Sequence, residues 1–309
     1  MKIIQPDHNQ DVPYTATIGF FDGVHRGHRF IIEELKATAK HKGEQSLVIT
    51  FGNHPRKVLH TSFHPQLLTT LSEKTELLES TGADACTVLD FTPELASMSA
   101  YAFMKNILRD KYNVKTLLIG YDHRFGYNRE ETFADYVKHG KELGIELIQA
   151  DCFNPNETEH ISSSEIRKAL QRGDVKQANR LLGYNYRLSG EVVGGFKVGR
   201  KIGFPTANLK PENPEKLIPP IGVYAVQVVF ENRTYAGMLN IGNRPTLNNG
   251  EDISIEVHII DFEKDIYNRT IELRFVEKIR DEEKFGSIDE LIERLKKDKE
   301  KVLEIMHEL

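Results

Sequence analysis

The stretch Thr15-Ala16-Thr17-Ile18-Gly19-Phe20-Phe21-Asp22-Gly23-Val24-His25-Arg26-Gly27-His28 decides the fold of the first half of the chain. It begins as an apolar, β-branched run, passes through three glycines and enters a helix-forming segment near His28, the order of a βα unit. The same order recurs downstream. Strands are predicted at Thr15–Phe21, Ser46–Phe51, Ala85–Phe91, Thr116–Gly120 and Ile145–Ala150, and helices at His28–His41, Leu71–Thr81, Ser99–Lys111 and Thr132–Leu143. Several of these helices run out at Gly43, Gly82 or Gly144, where a left-handed terminus strains glycine least. The reading is a doubly wound α/β domain with a Rossmann-like parallel sheet, whose ligands belong at the carboxyl ends of the strands. Chemistry is therefore expected in the loops after Phe20, Phe51 and Gly120.

Beyond Ser164 the pattern changes. Glu165–Leu182 reads as two short helices interrupted at Gly173-Asp174, and Gly183–Arg187 as a junction. Leu188–Val193, Gly222–Phe230, Thr234–Ile241, Ser254–Ile260 and Thr270–Val276 then alternate or run apolar, with a turn-forming Glu231-Asn232-Arg233 among them. A small antiparallel β-barrel fits. Ile288–Leu309 should cap it as an amphipathic helix, since Ile288, Leu291, Ile292, Leu295, Val302 and Ile305 recur at roughly helical spacing. The expected domains are residues 1–184 and 185–309, in keeping with 309 residues at roughly 150 per domain.

Lys and Arg number 41 against 46 Asp and Glu, and the net charge of −5 excludes a general polyanion-binding surface and nonspecific nucleic-acid binding. No apolar run approaches the roughly 18 residues that cross a bilayer. The opening MKIIQPDHNQ lacks the apolar segment of an export signal, so no membrane partner is expected and the expected location is cytoplasmic. Cys86 and Cys152 are too few for a disulfide framework or a thiolate zinc site, and both are expected reduced and buried.

In the first loop, Gly19, Gly23 and Gly27 let backbone amides and a helix N-terminus approach an anion, with phosphate the natural guest. His25 and His28, three residues apart, can aim two imidazoles at the same group. A glycine-rich turn with two surface histidines is the competing reading, and a zinc pair is a third that lacks an obvious third ligand. Ile161-Ser162-Ser163-Ser164-Glu165-Ile166-Arg167 sets three hydroxyls before a helix and an arginine in its first turn. It reads either as a phosphate grip or as an ordinary serine cap.

The run from Gly190 to Asn208 holds five glycines and several basic residues, yet it is neither a Walker A loop nor a protein-kinase glycine loop. In extended backbone Thr206 and Asn208 point to one side and offer two hard oxygens, suitable for magnesium. A purely conformational role for Pro205 and Asn208 is the alternative. Glu256 alternates with Ile255 and Val257 and so faces away from them, as a base or as an exposed strand glutamate.

Taken together, the first-loop motif and the Ile161–Arg167 element resemble those of the nucleotidyltransferases, specifically the FMN adenylyltransferase half of bacterial FAD synthetases. Further matches fall at Thr50 to Pro55, Leu68-Thr69-Thr70 and Gly120 to Gly126, and the resemblance covers nearly all of residues 1–184. The chain departs from the family's commoner pattern at Gly52-Asn53, His123 and Ser164. The resemblance implies that Gly19, Phe20, Asp22, Gly23, Gly27, Ser163 and Ser164 bind ATP. It also implies that His25, His28 and Arg167 neutralise charge on the reacting phosphates, and that Asp122 and Phe125 contact flavin. The second half, from Gly195 through Gly203-Phe204-Pro205-Thr206-Ala207-Asn208-Leu209, resembles riboflavin kinase, a small β-barrel family. Gly222-Val223-Tyr224, Asn240 to Thr246, Ile255 to His258 and Arg280 to Phe285 support the match. By that resemblance Glu256 is the catalytic base, and Thr206 and Asn208 hold Mg2+. Gly195, Gly199 and Lys201 then meet ATP, and Arg280 and Phe285 meet flavin. The implied enzyme is bifunctional: it phosphorylates riboflavin to FMN with ATP, then adenylylates FMN to FAD and pyrophosphate. A single-activity nucleotidyltransferase and a noncatalytic flavin carrier are the rival readings.

Overall fold

Tyr14–Ile18 is buried at every position, as a strand covered on both faces must be. In the computed structural model, which describes residues 1–4, 12–59, 65–121, 123–151, 153, 161–195, 198–244 and 252–309, this strand lies inside a six-stranded sheet. The strands are β1 (Lys2–Ile3), β2 (Tyr14–Ile18), β3 (Gln45–Phe51), β4 (Ala85–Leu89), β5 (Val114–Ile119) and β6 (Glu146–Gln149). Their spatial order is β1-β4-β3-β2-β5-β6 and every pairing is parallel. Helices α1 (Arg26–Lys42), α2 (Pro55–Leu59), α3 (Leu71–Glu79), α4 (Pro93–Ala96), α5 (Ala100–Phe103) and α6 (Phe133–Leu143) connect the strands. From β2 the chain passes through α1 to β3 on one side, and from β5 through α6 to β6 on the other. The crevice where these directions part lies between β2 and β5, so the loops after Ile18 and Ile119 form its mouth.

Two expectations change in detail. The first strand ends at Ile18 rather than Phe21, because Phe21 turns into the left-handed region at φ 52°. The helix expected over Ser99–Lys111 is α5 continued by a π-helical turn, Met104–Arg109. Cys86 is a buried free thiol, as expected, whereas Cys152 and Asp122 lie outside the described residues.

The second unit consists of α7 (Ser163–Gln171), α8 (Val175–Leu182), a short helix α9 (Val198–Lys201), the C-terminal helix α10 (Ile288–His307) and six strands. These are β7 (Arg187–Val193), β8 (Ala207–Pro211), β9 (Gly222–Phe230), β10 (Arg233–Arg244), β11 (Asp252–Ile259) and β12 (Thr270–Arg280). They close a barrel in the order β10-β11-β8-β7-β12-β9, antiparallel throughout. Helix α10 caps the barrel, with Val302 and Ile305 buried in a cluster with Val223, Ala225 and Met238 and with Ile292 and Leu295 packed against it, whereas Ile288, counted on the expected apolar face, is exposed at the first turn. Arg280 at the end of β12 fastens it, donating to the Asp298 carboxylate from Nε at 3.0 Å and from Nη2 at 2.8 Å.

The compact units divide between Ser162 and Ser163, earlier than the boundary expected after Tyr184. The reason is that α7 and α8 fold with the barrel. Asn179 Nδ2 donates to Phe275 O at 2.9 Å, its Oδ1 accepts from Tyr186 N at 2.8 Å, and Ala178, Leu181 and Leu182 are buried.

Candidate active sites

The loop between β2 and α1 turns at Phe21, Gly23 and Val24, with φ of 52°, 82° and 36°. Two non-glycine residues in this region cost about 1–3 kcal/mol each, so other contacts must hold the turn. Asp22 supplies them. Its buried carboxylate accepts from Leu68 N and Thr69 N, each at 3.0 Å, and from Thr69 Oγ1 at 3.1 Å. The Thr69 hydroxyl in turn accepts from Gly23 N at 3.0 Å. The side chain expected on ATP is thus engaged in bracing the loop's own backbone.

His25 caps α1, its Nδ1 accepting from His28 N at 3.3 Å, and the two imidazoles stack with centroids 3.6 Å apart. Phe21 meets the His28 ring edge-on at 5.1 Å. The buried His28 Nδ1 has no hydrogen-bond partner among the described residues. At the N-terminus of a long helix, that nitrogen is a place for a ligand oxygen. Burial above all, then His25, His123 and Lys74, holds the His28 pKa well below the ordinary imidazole value. The sequence reading has both imidazoles neutralising phosphate charge. In the free protein His28 is instead neutral, and it contributes a directed hydrogen bond until an anion favours its charged form.

Other members of the site are distributed as follows. Gly19 N donates to Ile49 O at 3.0 Å, and the Phe20 ring meets His54 edge-on at 4.7 Å. Gly27 packs beside the start of the hydroxyl-rich run, since a methyl added to it would lie 3.9 Å from Ile161 O. Ser163, Ser164 and Arg167 occupy α7, in the second unit. Phe125, read from the resemblance as a flavin contact, is a core ring stacked on Tyr136 at 4.4 Å. Both its backbone N–H and its C=O bond the Tyr136 hydroxyl. The sequence places Thr69 only within a matching segment and His123 only as a departure from the family pattern, without their partners Asp22 and His28, and it overlooks Lys74. The signal for Lys74 is a cation in the first turn of a helix, where the dipole disfavours it.

In the barrel, register does the assembling. Asn208 of β8 stands opposite Glu256 of β11, and Ala207 opposite Val257. Ile255 and Val257 are buried, which turns Glu256 to the other face, where Thr206 Oγ1 donates to its Oε2 at 3.2 Å. His258, two residues on along the same face, donates from Nδ1 to Pro205 O at 2.8 Å and so fixes the approach to Thr206. Gly195 packs against the Asn208 amide so closely that a Cβ there would collide with Nδ2, and a Cβ on Gly199 would strike Phe204 O. A cavity on the Val257 and Ile259 side of β11 is lined by Arg200, Thr206, Val257, Ile259, Phe262 and Tyr267, and of Thr206, Asn208 and Glu256 only Thr206 reaches it. Arg200 lines it, whereas Lys201 is exposed. Arg280 lies 5.9 Å from the Phe285 ring centroid, which brings the two expected flavin residues together, although the guanidinium is already bound to Asp298.

The Thr206 hydroxyl, the Asn208 amide oxygen and the Glu256 carboxylate are hard oxygen donors brought together across the β8–β11 register, and the Gly195 backbone packs directly against the Asn208 amide. The set fits a magnesium ion. Among the described residues there is no group of three His, Cys, Asp or Glu able to hold a metal. Gly195→Ala should push Asn208 aside and lower barrel-site phosphoryl transfer about a hundredfold. The sheet-unit reaction, assayed on the same sample, should be unaffected.

A parallel sheet whose loop after β2 runs into a helix N-terminus, followed by a closed barrel in which Thr206, Asn208 and Glu256 converge, is the build of a transferase with two units. The FAD synthetase family profile matches residues 7–165 and the riboflavin kinase profile residues 182–306. Over 300 residues the chain is 36% identical to the bifunctional riboflavin kinase/FMN adenylyltransferase of Listeria monocytogenes serovar 1/2a, covering 96% of this chain and 94% of that one. The Escherichia coli K12 protein of the same name is 36% identical over 303 residues, covering 96% of each chain. The chain belongs to the family of bifunctional riboflavin kinase/FMN adenylyltransferases. A solved structure described as a macrolide-efflux protein from Streptococcus pneumoniae matches with a TM-score of 0.87 at 32% identity, covering 97% of this chain and 98% of that one. Among the described residues no helix is long and apolar enough to cross a membrane.

Proposed function

We propose that residues 185–309 phosphorylate riboflavin to FMN with ATP, and that residues 1–184 adenylylate FMN with a second ATP to FAD and pyrophosphate. The observation that carries this reading is the convergence of Thr206, Asn208 and Glu256 across the β8–β11 register. A ribityl hydroxyl is a poor nucleophile, so a carboxylate placed to take its proton is the group this transfer needs. Glu256 takes that proton as the hydroxyl oxygen bonds the γ-phosphorus and ADP leaves. Thr206 and Asn208 would hold magnesium, which when bound neutralises charge on the transferring phosphate. The Thr206 hydroxyl spends its proton on Glu256 and keeps its lone pairs for the ion. Gly195, Gly199 and Lys201 serve the nucleotide, and Arg280 with Phe285 the flavin.

The second reaction has a different nucleophile. The FMN phosphate is largely dianionic at neutral pH, its second pKa being near 6, so no general base is required. A phosphate oxygen of FMN bonds the α-phosphorus of ATP and pyrophosphate departs. The site must orient the reactants and stabilise charge. Amides of the Gly19–His28 loop, His25 and the His28 Nδ1, which has no partner among the described residues, suit that task, and the family resemblance assigns Ser163, Ser164 and Arg167 to the same reaction. A cytoplasmic location belongs to the same proposal, in keeping with Cys86 as a free thiol whose pKa burial pushes up to about 12.

Purified protein given riboflavin, ATP and magnesium should yield FMN first and FAD second on chromatography. FAD from supplied FMN without any FMN from riboflavin would leave a single-activity adenylyltransferase. Neither product, with flavin bound, would leave a carrier.

A further inference from the structure

Lys74 stands in the first turn of α3, against the helix dipole, and is only 3% exposed. A buried cation at a position that also opposes it electrostatically is the local conflict expected where function outweighs stability. Its ammonium donates to Phe51 O at 2.6 Å and to Phe20 O at 3.2 Å, and lies 4.2 Å from the centroid of the Phe20 ring. These are electron-rich groups at the carboxyl ends of β3 and β2, three of them for three N–H bonds. Thr50 Oγ1 donates to the same Phe20 carbonyl at 3.1 Å. That carbonyl belongs to the peptide leading into Phe21, the first left-handed residue of the nucleotide loop.

We infer that Lys74 is a positioning residue for adenylyl transfer, its charged ammonium gripping the ends of β2 and β3 so that the strained Phe21–Val24 turn keeps its amides and His28 aimed at the nucleotide phosphates. The inference rests on the adenylyltransferase reading of residues 1–184. A neutral amine cannot substitute. Its lone pair would face a carbonyl oxygen or the ring, and the remaining hydrogen bonds would lose their charge assistance.

Burial lowers the Lys74 pKa to about 8, with Asp22 and Cys86 opposing the shift. The titratable groups facing it are Asp22 from the loop, Cys86 from β4 and His28 from α1. Cys86 is pushed up to about 12 and His28 is held well below its ordinary range, so neither titrates near Lys74. The folded pKa lies below the ordinary 10.5, so between these values the unfolded chain binds more protons and stability rises with pH. A positioning role makes adenylyl transfer fall across the same interval. A merely structural role would move both the same way.

The test follows FAD from FMN, FMN from riboflavin, and urea stability across the alkaline range, using full-length wild type, Lys74→Met and Lys74→Gln. In wild type, FAD formation should fall above an apparent pKa of about 8 while stability does not fall and FMN formation shows no such limb. Both variants should lose about a hundredfold in kcat/KM for ATP, lack the alkaline limb, keep the KM for FMN within threefold and phosphorylate riboflavin normally. The inference is overturned if either variant transfers adenylyl within threefold of wild type, if the limb persists in the variants, or if wild-type stability falls with the rate. A wild type that makes no FAD would sink the underlying reading instead.

Discussion

Glu256→Gln is expected to lower riboflavin phosphorylation about a thousandfold, within the range that general-base catalysis supplies, and to leave conversion of FMN to FAD within twofold. The substitution keeps the shape and the partner, since Thr206 Oγ1 can still donate to the amide oxygen that replaces Oε2. What disappears is the capacity to receive the ribityl proton. The loss should therefore lie in kcat far more than in the KM for ATP. Single-turnover assays of each step on the same preparation measure this. Equal loss of both steps would remove Glu256 from its assigned role, because nothing in the adenylylation chemistry calls for a base.

His28→Ala should act in the opposite sense, cutting FAD formation by about a hundredfold to a thousandfold, the usual cost of removing one donor at a developing charge, and sparing riboflavin phosphorylation. The residue is held by stacking on His25 and by the edge of Phe21, and its buried Nδ1 has no partner among the described residues. Losing it therefore breaks no hydrogen bond of that atom. Its depressed pKa also sets a pH dependence. Below about 6.5 the unfolded chain takes up a proton that the folded protein refuses, so urea midpoints of the wild type should decline as pH falls there, and those of His28→Ala should decline less. A variant with normal FAD synthesis would show that the loop amides suffice.

The Gly19–His28 loop and Pro205-Thr206-Ala207-Asn208 are legible in the sequence because their chemistry is local: glycines, hydroxyls and a helix start within one turn of chain. Lys74 is not, since the carbonyls it binds lie 54 and 23 positions away. Asp22 reads as a ligand for the same reason. Its real partners, Leu68 and Thr69, are 46 and 47 positions distant. Strand β8 escapes detection because prolines stand before and within it, the composition of an edge or a turn. Only pairing with β7 and β11 makes it a strand. Phe125, between Arg124 and Gly126, is equally compatible with a loop contact or a core ring, and burial beside Tyr136 decides. The boundary after Tyr184 follows the change of periodicity, whereas compactness follows the docking of α8 on β12, a contact no periodicity announces.

Closure of the barrel has a consequence for handling the protein. Each of its six strands has a neighbour on both sides, so among the described residues the barrel offers no open strand edge onto which another polypeptide could add. The parallel sheet, by contrast, has two open margins, β1 and β6, of two and four residues, and β6 begins and ends on exposed Glu146 and Gln149. Brevity and polar ends are what discourage sideways growth there. Lengthening or greasing that margin, for instance with Glu146→Val, is the change that would bring self-association during expression.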